Sequence, residues 1–186
     1  MKNVLIAVSG PSGVGKGTIV KELLKRRKDV ALSISCTTRA PRQGEVDGRE
    51  YFFLTQEAFK QKINEDEFLE YDEHFGNYYG TPKSFVRETL KTRSVILEID
   101  VVGALNAKRA FPECVLVMVV PPSVEELKKR LTGRHSETAE EIEGRLSRLS
   151  YELSKQNLYD YTVVNDDLGS AVQALENIIN QETIKE

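Results

Sequence analysis

Gly10-Pro11-Ser12-Gly13-Val14-Gly15-Lys16 is the stretch whose residue types and spacing most directly imply chemistry. It has the form G-x-x-x-x-G-K, follows the apolar run Val4 to Val8, and opens a segment with helical spacing. In that setting the glycines let successive backbone N–H groups curl around a phosphate, the helix N-terminus adds donors, and Lys16 reaches the outer phosphates. A glycine-rich strand-to-helix turn without a ligand is the plain alternative, and the flanking elements argue against it. One position departs from the pattern. The residue after the lysine, usually a Ser or Thr that ligates Mg²⁺, is Gly17, and the hydroxyl arrives one position later at Thr18. Any Mg²⁺ is therefore expected to be held by nucleotide phosphates and water, as its reluctance to dehydrate allows, with Thr18 bonding a phosphate oxygen.

Other candidates are weaker taken singly. Arg39 and Arg42 flank Pro41, and with the hydroxyls of Tyr51 and Tyr79 they form a suitable cradle for a phosphate dianion. Without more context, paired arginines in a loop are ordinarily just solvated. Glu70 lies in the acidic stretch Glu65 to Glu73 and is equally readable as a surface acid. Asp100 ends an apolar run, where α/β folds place ligand-binding groups, although a carboxylate there also suits a helix cap. Glu98 shares its side of the strand. Arg145 is four residues from Glu141, the spacing of an ordinary surface ion pair. No Ser-His-Asp or Cys-His constellation stands out, and His74 and His135 read as incidental.

These residues need a scaffold, and the hydropathy pattern predicts one. Val4 to Val8, Val95 to Asp100 and Val115 to Val120 are aliphatic runs without polar alternation, as in parallel strands buried on both faces, and Ala31 to Ser35 and Tyr161 to Val164 are fainter candidates. Helical spacing covers Thr18 to Arg27, Ser84 to Lys91, Val102 to Phe111, Ser123 to Leu131, Thr138 to Leu158 and Ala171 to Asn180. The alternation predicts an α/β fold around a parallel sheet. Ser123-x-x-Glu126 and Thr138-x-x-Glu141 fit the capping box, Thr81-Pro82 fits an N-cap and first-turn proline, and Lys25 to Lys28 fit a solvated helix C-terminus. From Cys36 to Gly80 the rhythm breaks into Gly, Tyr, Phe and charge, read as an inserted small α+β subdomain, and Leu131 to Ser136 read as a mobile loop.

The 186 residues suit one domain, and 40% hydrophobic with 30% charged residues excludes wholesale disorder. The 26 Lys plus Arg against 29 Asp plus Glu argue against generic nucleic-acid or anionic-membrane binding. Cys36 and Cys114 are expected to be free, buried thiols. The N-terminal apolar run is short for a secretory signal and no run is long enough to cross a bilayer, so a cytoplasmic address is expected.

The inserted segment supplies the context that the single residues lack. Ser33-Ile34-Ser35-Cys36-Thr37-Thr38-Arg39-Ala40-Pro41-Arg42, Gly44-Glu45-Val46-Asp47-Gly48-Arg49-Glu50-Tyr51-Phe52-Phe53, Glu67-Phe68-Leu69-Glu70-Tyr71 and Gly76-Asn77-Tyr78-Tyr79-Gly80-Thr81 resemble the nucleoside-monophosphate site of guanylate kinases. Leu97-Glu98-Ile99-Asp100 and Arg130-Leu131-Thr132-Gly133-Arg134 continue the resemblance, which runs in order from the first strand to Asn165-Asp166. It implies a P-loop NTPase-type parallel sheet flanked by helices, with core 1–35, 82–130 and 151–186, a GMP-binding insertion 36–81 and a lid region 131–150.

The same resemblance implies that MgATP and GMP, or dGMP, give ADP and the diphosphate, in guanine nucleotide metabolism and GMP recycling. Arg39, Arg42, Tyr51 and Tyr79 would hold the GMP phosphate. Ser35, Glu70 and Thr81 would read the base, with Glu98 and Asp100 on the GMP side and Asp100 orienting Mg²⁺ through water or the acceptor phosphate. Gly10 to Thr18, Arg130, Arg134 and Asn165 would serve ATP. Lys16, Arg39, Arg134 and Arg145 would stabilise charge on the transferring group. A phosphopeptide-binding scaffold would typically lose Lys16. A kinase for AMP or a sugar phosphate would not require Ser35, Glu70 and Thr81, and a nucleotide switch has no use for a second phosphate site. A monomer or weak homodimer with large lid motions is expected.

Overall fold

A computed structural model of the chain describes residues 2–74, 76–127 and 139–185, the side chains of His74 and of residues 139–146 apart. The loop Leu131 to Ser136, the capping box at Thr138, Arg130, Arg134, His135 and the side chain of Arg145 therefore lie outside the described residues.

Five strands form one sheet: β1 (Leu5–Ser9), β2 (Val30–Leu32), β7 (Ser94–Glu98), β8 (Val115–Val120) and β9 (Tyr161–Val164). Their order is β2-β7-β1-β8-β9 and every pairing is parallel. Parallel strands need crossovers, and these are α1 (Lys16–Arg26), α3 (Lys83–Leu90), α4 (Val101–Ala110), α5 (Ala139–Ser154) and, after the last strand, α6 (Leu168–Ile184). The central strand shows why its sequence has no polar alternation. Ile6 and Val8 face a core with Ile19, Leu23, Val172 and Leu175, whereas Leu5 and Ala7 face another with Val86, Ala104 and Leu116. Each of the Val, Leu and Ile side chains contributes roughly 1.5–3 kcal/mol by leaving water, so both faces hold the sheet.

The second sheet has four strands in the order β4-β3-β6-β5: β3 (Cys36–Thr37), β4 (Phe52–Phe53), β5 (Phe68–His74) and β6 (Asn77–Pro82). Its own core stacks Phe59 between Phe68, at 4.4 Å, and Tyr78, at 5.4 Å between ring centroids. Phe59 comes from α2 (Gln56–Asn64), the helical part of the α+β insertion, whose bounds the sequence reading did not give; Thr55 caps it by accepting from the Ala58 N–H at 3.1 Å. Leu69 of β5 packs into the core shared by α3 and α4, which ties this sheet to the first.

Several helix ends differ from expectation. Thr81 is not the N-cap of α3: Pro82 stands at the cap, and the Thr81 hydroxyl instead donates to Glu70 Oε1 at 2.5 Å. The α6 helix begins three residues earlier than its hydrophobic spacing implied, because Asp167 accepts from the Ser170 N–H at 2.7 Å. Ser123 does accept from the Glu126 N–H, at 3.1 Å, starting the helical turn at 124–127. Both cysteines are free and buried, and no helix among the described residues is long and apolar enough to cross a membrane.

Candidate active site

The carboxyl end of β1 is the natural place for a ligand. The chain leaves β1 through α1 toward the β2 side of the sheet and later crosses to β8 on the other side, so a crevice opens where the direction switches. Gly10 to Gly15 fill that turn, and Gly15 adopts φ 99° directly before α1. A side chain there would also meet Asn165, whose Nδ2 would lie 2.4 Å from the added carbon. Asn165 is buried after β9 and donates to the Val14 carbonyl at 2.7 Å, so it fastens the loop from behind. On the strand side, the buried Ser9 hydroxyl shares a 2.5 Å hydrogen bond with Tyr159 Oη.

Lys16 folds back over this loop, its Nζ donating to the Gly10 carbonyl at 2.6 Å and the Pro11 carbonyl at 3.1 Å. Desolvation lowers its pKa, opposed by Glu98, Glu152 and Asp100. Glu98 keeps solvent contact, yet protein crowding raises its carboxyl while Lys16 pulls it down. Its side chain also accounts for Gly17: a carbon added there would lie 3.1 Å from Glu98 Oε1, so a carboxylate faces the position where the usual motif carries a hydroxyl. Hard carboxylate oxygens beside this glycine turn suit Mg²⁺. Asp100 serves two partners, accepting from the Gly103 N–H at 2.7 Å on Oδ1 and from Arg148 Nη2 at 3.0 Å on Oδ2. The helix-cap alternative for Asp100 is thus realised, and the same carboxylate also pairs with Arg148.

A second cluster gathers in the four-stranded sheet. Arg39 lies over the Tyr51 ring at 5.4 Å, and Tyr51 meets Tyr79 edge-on at 6.2 Å. Burial raises the Tyr51 phenol, which also feels Tyr79, Arg39 and Glu98. Arg42 is exposed on the neighbouring loop. Deeper in, Glu70 and Thr81 are opposed across β5 and β6, exposed by only 7% and 0%. Desolvation pushes the Glu70 carboxyl up to about 7 against the Thr81 hydrogen bond, with Asp100 adding to the rise. The acidic stretch therefore contains one buried acid among surface ones. Ser35 is half-buried beside β3, and its carbonyl accepts from the Phe52 N–H at 2.9 Å.

Lys16, Glu98 and Asp100 thus gather at one end of the sheet, Arg39, Tyr51 and Tyr79 in the insertion, and Glu70 with Thr81 on β5 and β6 beside α4. Sequence reasoning missed Glu45, which grips Arg39, and Arg148 with Glu152, which are joined at 3.5 Å beside Asp100. The available signals were faint: Glu45 stands three residues past Arg42, and Arg148 three past Arg145.

A family profile described as Guanylate kinase matches residues 2–182. A guanylate kinase of Caldanaerobacter subterraneus subsp. tengcongensis is 50% identical over 179 residues, covering 96% of this chain and 87% of its own. One of Clostridioides difficile is 49% identical over 185 residues, covering 99% and 90%. The crystal structure of guanylate kinase from Anaplasma phagocytophilum superposes with a TM-score of 0.80 at 32% identity, over 99% of this chain and 88% of that one. With similarity running through both sheets and nearly end to end, this chain belongs to the guanylate kinase family.

Proposed function

We propose that the chain transfers the γ-phosphoryl group of ATP to GMP, and to dGMP, giving ADP and the guanosine diphosphate for GMP recycling. The observation that carries this is the buried Glu70–Thr81 pair beside the Arg39, Tyr51 and Tyr79 cluster. Guanine presents N1–H and its 2-amino group side by side, and an ionised carboxylate accepts both. Adenine has an acceptor at N1 and no 2-amino group, so it would leave a buried carboxylate with the Thr81 hydroxyl but neither base donor to satisfy it. Ser35 and Thr81 complete the base pocket, and Arg39, Arg42, Tyr51 and Tyr79 hold the acceptor phosphate.

Across the cleft, residues 10–18 cradle the ATP phosphates, with Lys16 released from its carbonyls to the outer phosphates. Asn165 supports that loop, and Arg130 and Arg134 act on the ATP side. The acceptor phosphate has a second pKa of about 6, is mostly dianionic at neutral pH and needs no general base. Catalysis comes from in-line positioning and from Lys16, Arg39, Arg134 and Arg145 stabilising the spread negative charge. Mg²⁺, when bound, neutralises charge on the donor phosphates. Asp100 would orient it through water, with Glu98 alongside. We assign 36–81 as the acceptor insertion and 131–150 as the lid, and expect a cytoplasmic monomer or weak homodimer with no nucleic-acid or membrane partner.

A coupled assay of ADP release with GMP, dGMP, AMP and UMP as separate acceptors tests the reading. Turnover with GMP and dGMP is expected; absence of turnover with GMP overturns the proposal, and equal turnover with AMP overturns the role given to Glu70.

A further inference from the structure

Arg39 is held on two sides before any ligand arrives. Its Nη1 donates to Glu45 Oε2 at 3.0 Å and its Nη2 to Glu45 Oε1 at 2.9 Å, a bidentate pair on the far end of the guanidinium fork. Nη1 also donates to the Ala40 carbonyl at 2.7 Å. The flat face lies over Tyr51 at 5.4 Å and Phe53 at 5.9 Å. The end and one face of the fork are thus committed, whereas Nε and the second Nη2 hydrogen carry no bond to Glu45, and the Tyr79 hydroxyl is a further partner of the guanidinium. A guanidinium binds a phosphate side-on through its Nε–Nη2 edge as well as end-on.

Glu45 does a second thing. Its Oε2 accepts the Arg42 N–H at 2.7 Å while its own N–H donates to the Arg42 carbonyl at 3.1 Å. The turn from Arg42 to Glu45, with Gly44 at φ 87°, is closed from both ends. One carboxylate thereby fixes the guanidinium of Arg39 and the backbone from which Arg42 projects. With 16% and 17% of their side chains exposed, Arg39 and Glu45 are not an ordinary surface pair, whose two long side chains stay mobile and contribute little.

We infer that Glu45 is a positioning residue for the acceptor phosphate, pre-orienting Arg39 and Arg42 so that their ordering is already complete when a nucleoside monophosphate binds. This rests on the acceptor site proposed above. A rival role for the same contact has the opposite sign: a carboxylate occupying the fork as a stand-in anion would have to be displaced, and removing it would tighten binding.

Calorimetric titration of the full chain with GMP and, separately, with guanosine distinguishes them. Glu45→Gln keeps the size and one acceptor for the Arg42 N–H but loses the charge. It is expected to weaken GMP about tenfold, the scale of a charge-assisted hydrogen bond, and to leave guanosine affinity unchanged. In steady state KM for GMP should rise while KM for ATP does not. Unchanged or tighter GMP binding overturns the inference, and so does an equal loss for GMP and guanosine, which marks a general loosening of the insertion. Arg39→Ala in the same titration checks the underlying site: if it leaves GMP affinity intact, the acceptor assignment is wrong, whereas a loss there with none in Glu45→Gln sinks only the role of Glu45.

Discussion

Glu70 sits in surroundings that oppose its proposed task, since burial lifts its carboxyl to about 7 while the paired donors of guanine require it ionised. Its folded pKa is above the ordinary 4.5 of a glutamate, so its contribution to ligand-free stability is fully present below 4.5 and is lost as pH rises through about 7. GMP binding has the reverse sign. KM for GMP should climb as pH falls below about 7, measured with KM for ATP as the internal control. Glu70→Gln should leave only the dependence set by the phosphate's own second pKa of about 6, which AMP shares, and erode GMP over AMP preference by roughly 5–150-fold, the range of one bidentate base contact. It should also raise the ligand-free Tm at pH 8 by ~2–4 °C for each kcal/mol of relieved charge burial. Intact base preference in that variant would identify a different carboxylate as the reader. Asn165 gives a second residue-scale prediction. Its bond to the Val14 carbonyl supports the loop, so Asn165→Ala should weaken ATP and GTP as donors to the same degree. Loss of discrimination between ATP and GTP would instead place its side chain against the base.

At the scale of elements, the caps divide into those that only hold a helix and those that also belong to the site. Asp167 accepts from Ser170 at the start of α6, among exposed residues. Asp167→Ala should cost about 1 kcal/mol, a Tm loss of ~2–4 °C, with kcat and both KM values unchanged. Reduced kcat would show that α6 communicates with the cleft. Asp100, by contrast, caps α4 and holds Arg148 with the same carboxylate. The difference bears on what was legible in the sequence. Strands β1, β7 and β8 were plain because burial on both faces demands uninterrupted aliphatic residues. The α2 helix was not, because only Phe59 is buried along it and the aromatic stack that justifies Phe59 comes from β5 and β6. Thr81 looked like a cap because Pro82 follows it, and its true partner lies eleven residues back across a strand pair. The glycine turn between β1 and α1 was legible from local spacing. The links Glu45–Arg39 and Arg148–Asp100 were not, since an acid and an arginine near in sequence, or far apart, carry no mark of pairing until the fold brings them together.

At the scale of the whole molecule, the near-balance of 26 basic and 29 acidic residues does not show where charge collects, and Lys16, Arg39 and Arg42 stand with Glu70, Glu98 and Asp100 around the region where two anionic ligands must meet. That region is open to solvent: Ser12, Gly17, Thr18, Arg42 and Glu98 are all exposed. Transfer to GMP instead of water requires reacting oxygens and phosphorus to approach within about 3–3.5 Å in a water-poor site, so some part of the protein must close over them. The β5 edge of the second sheet is anchored through Leu69 to the core under α4, whereas the loop carrying Arg39, Arg42 and Glu45 lies beyond β3 on the far side of that sheet. Swinging the β3–β4 end about the β5 anchor is therefore the motion the packing permits. The radius of gyration in solution scattering should fall most when GMP and a non-hydrolysable ATP analogue are bound together, and less with either alone. In parallel, ATP hydrolysis without an acceptor should run far below turnover with GMP, because an open cleft leaves the γ-phosphoryl group wet but unaligned. A scattering profile unchanged by both ligands, or hydrolysis without GMP as fast as transfer, would show that the acceptor insertion is a static wall.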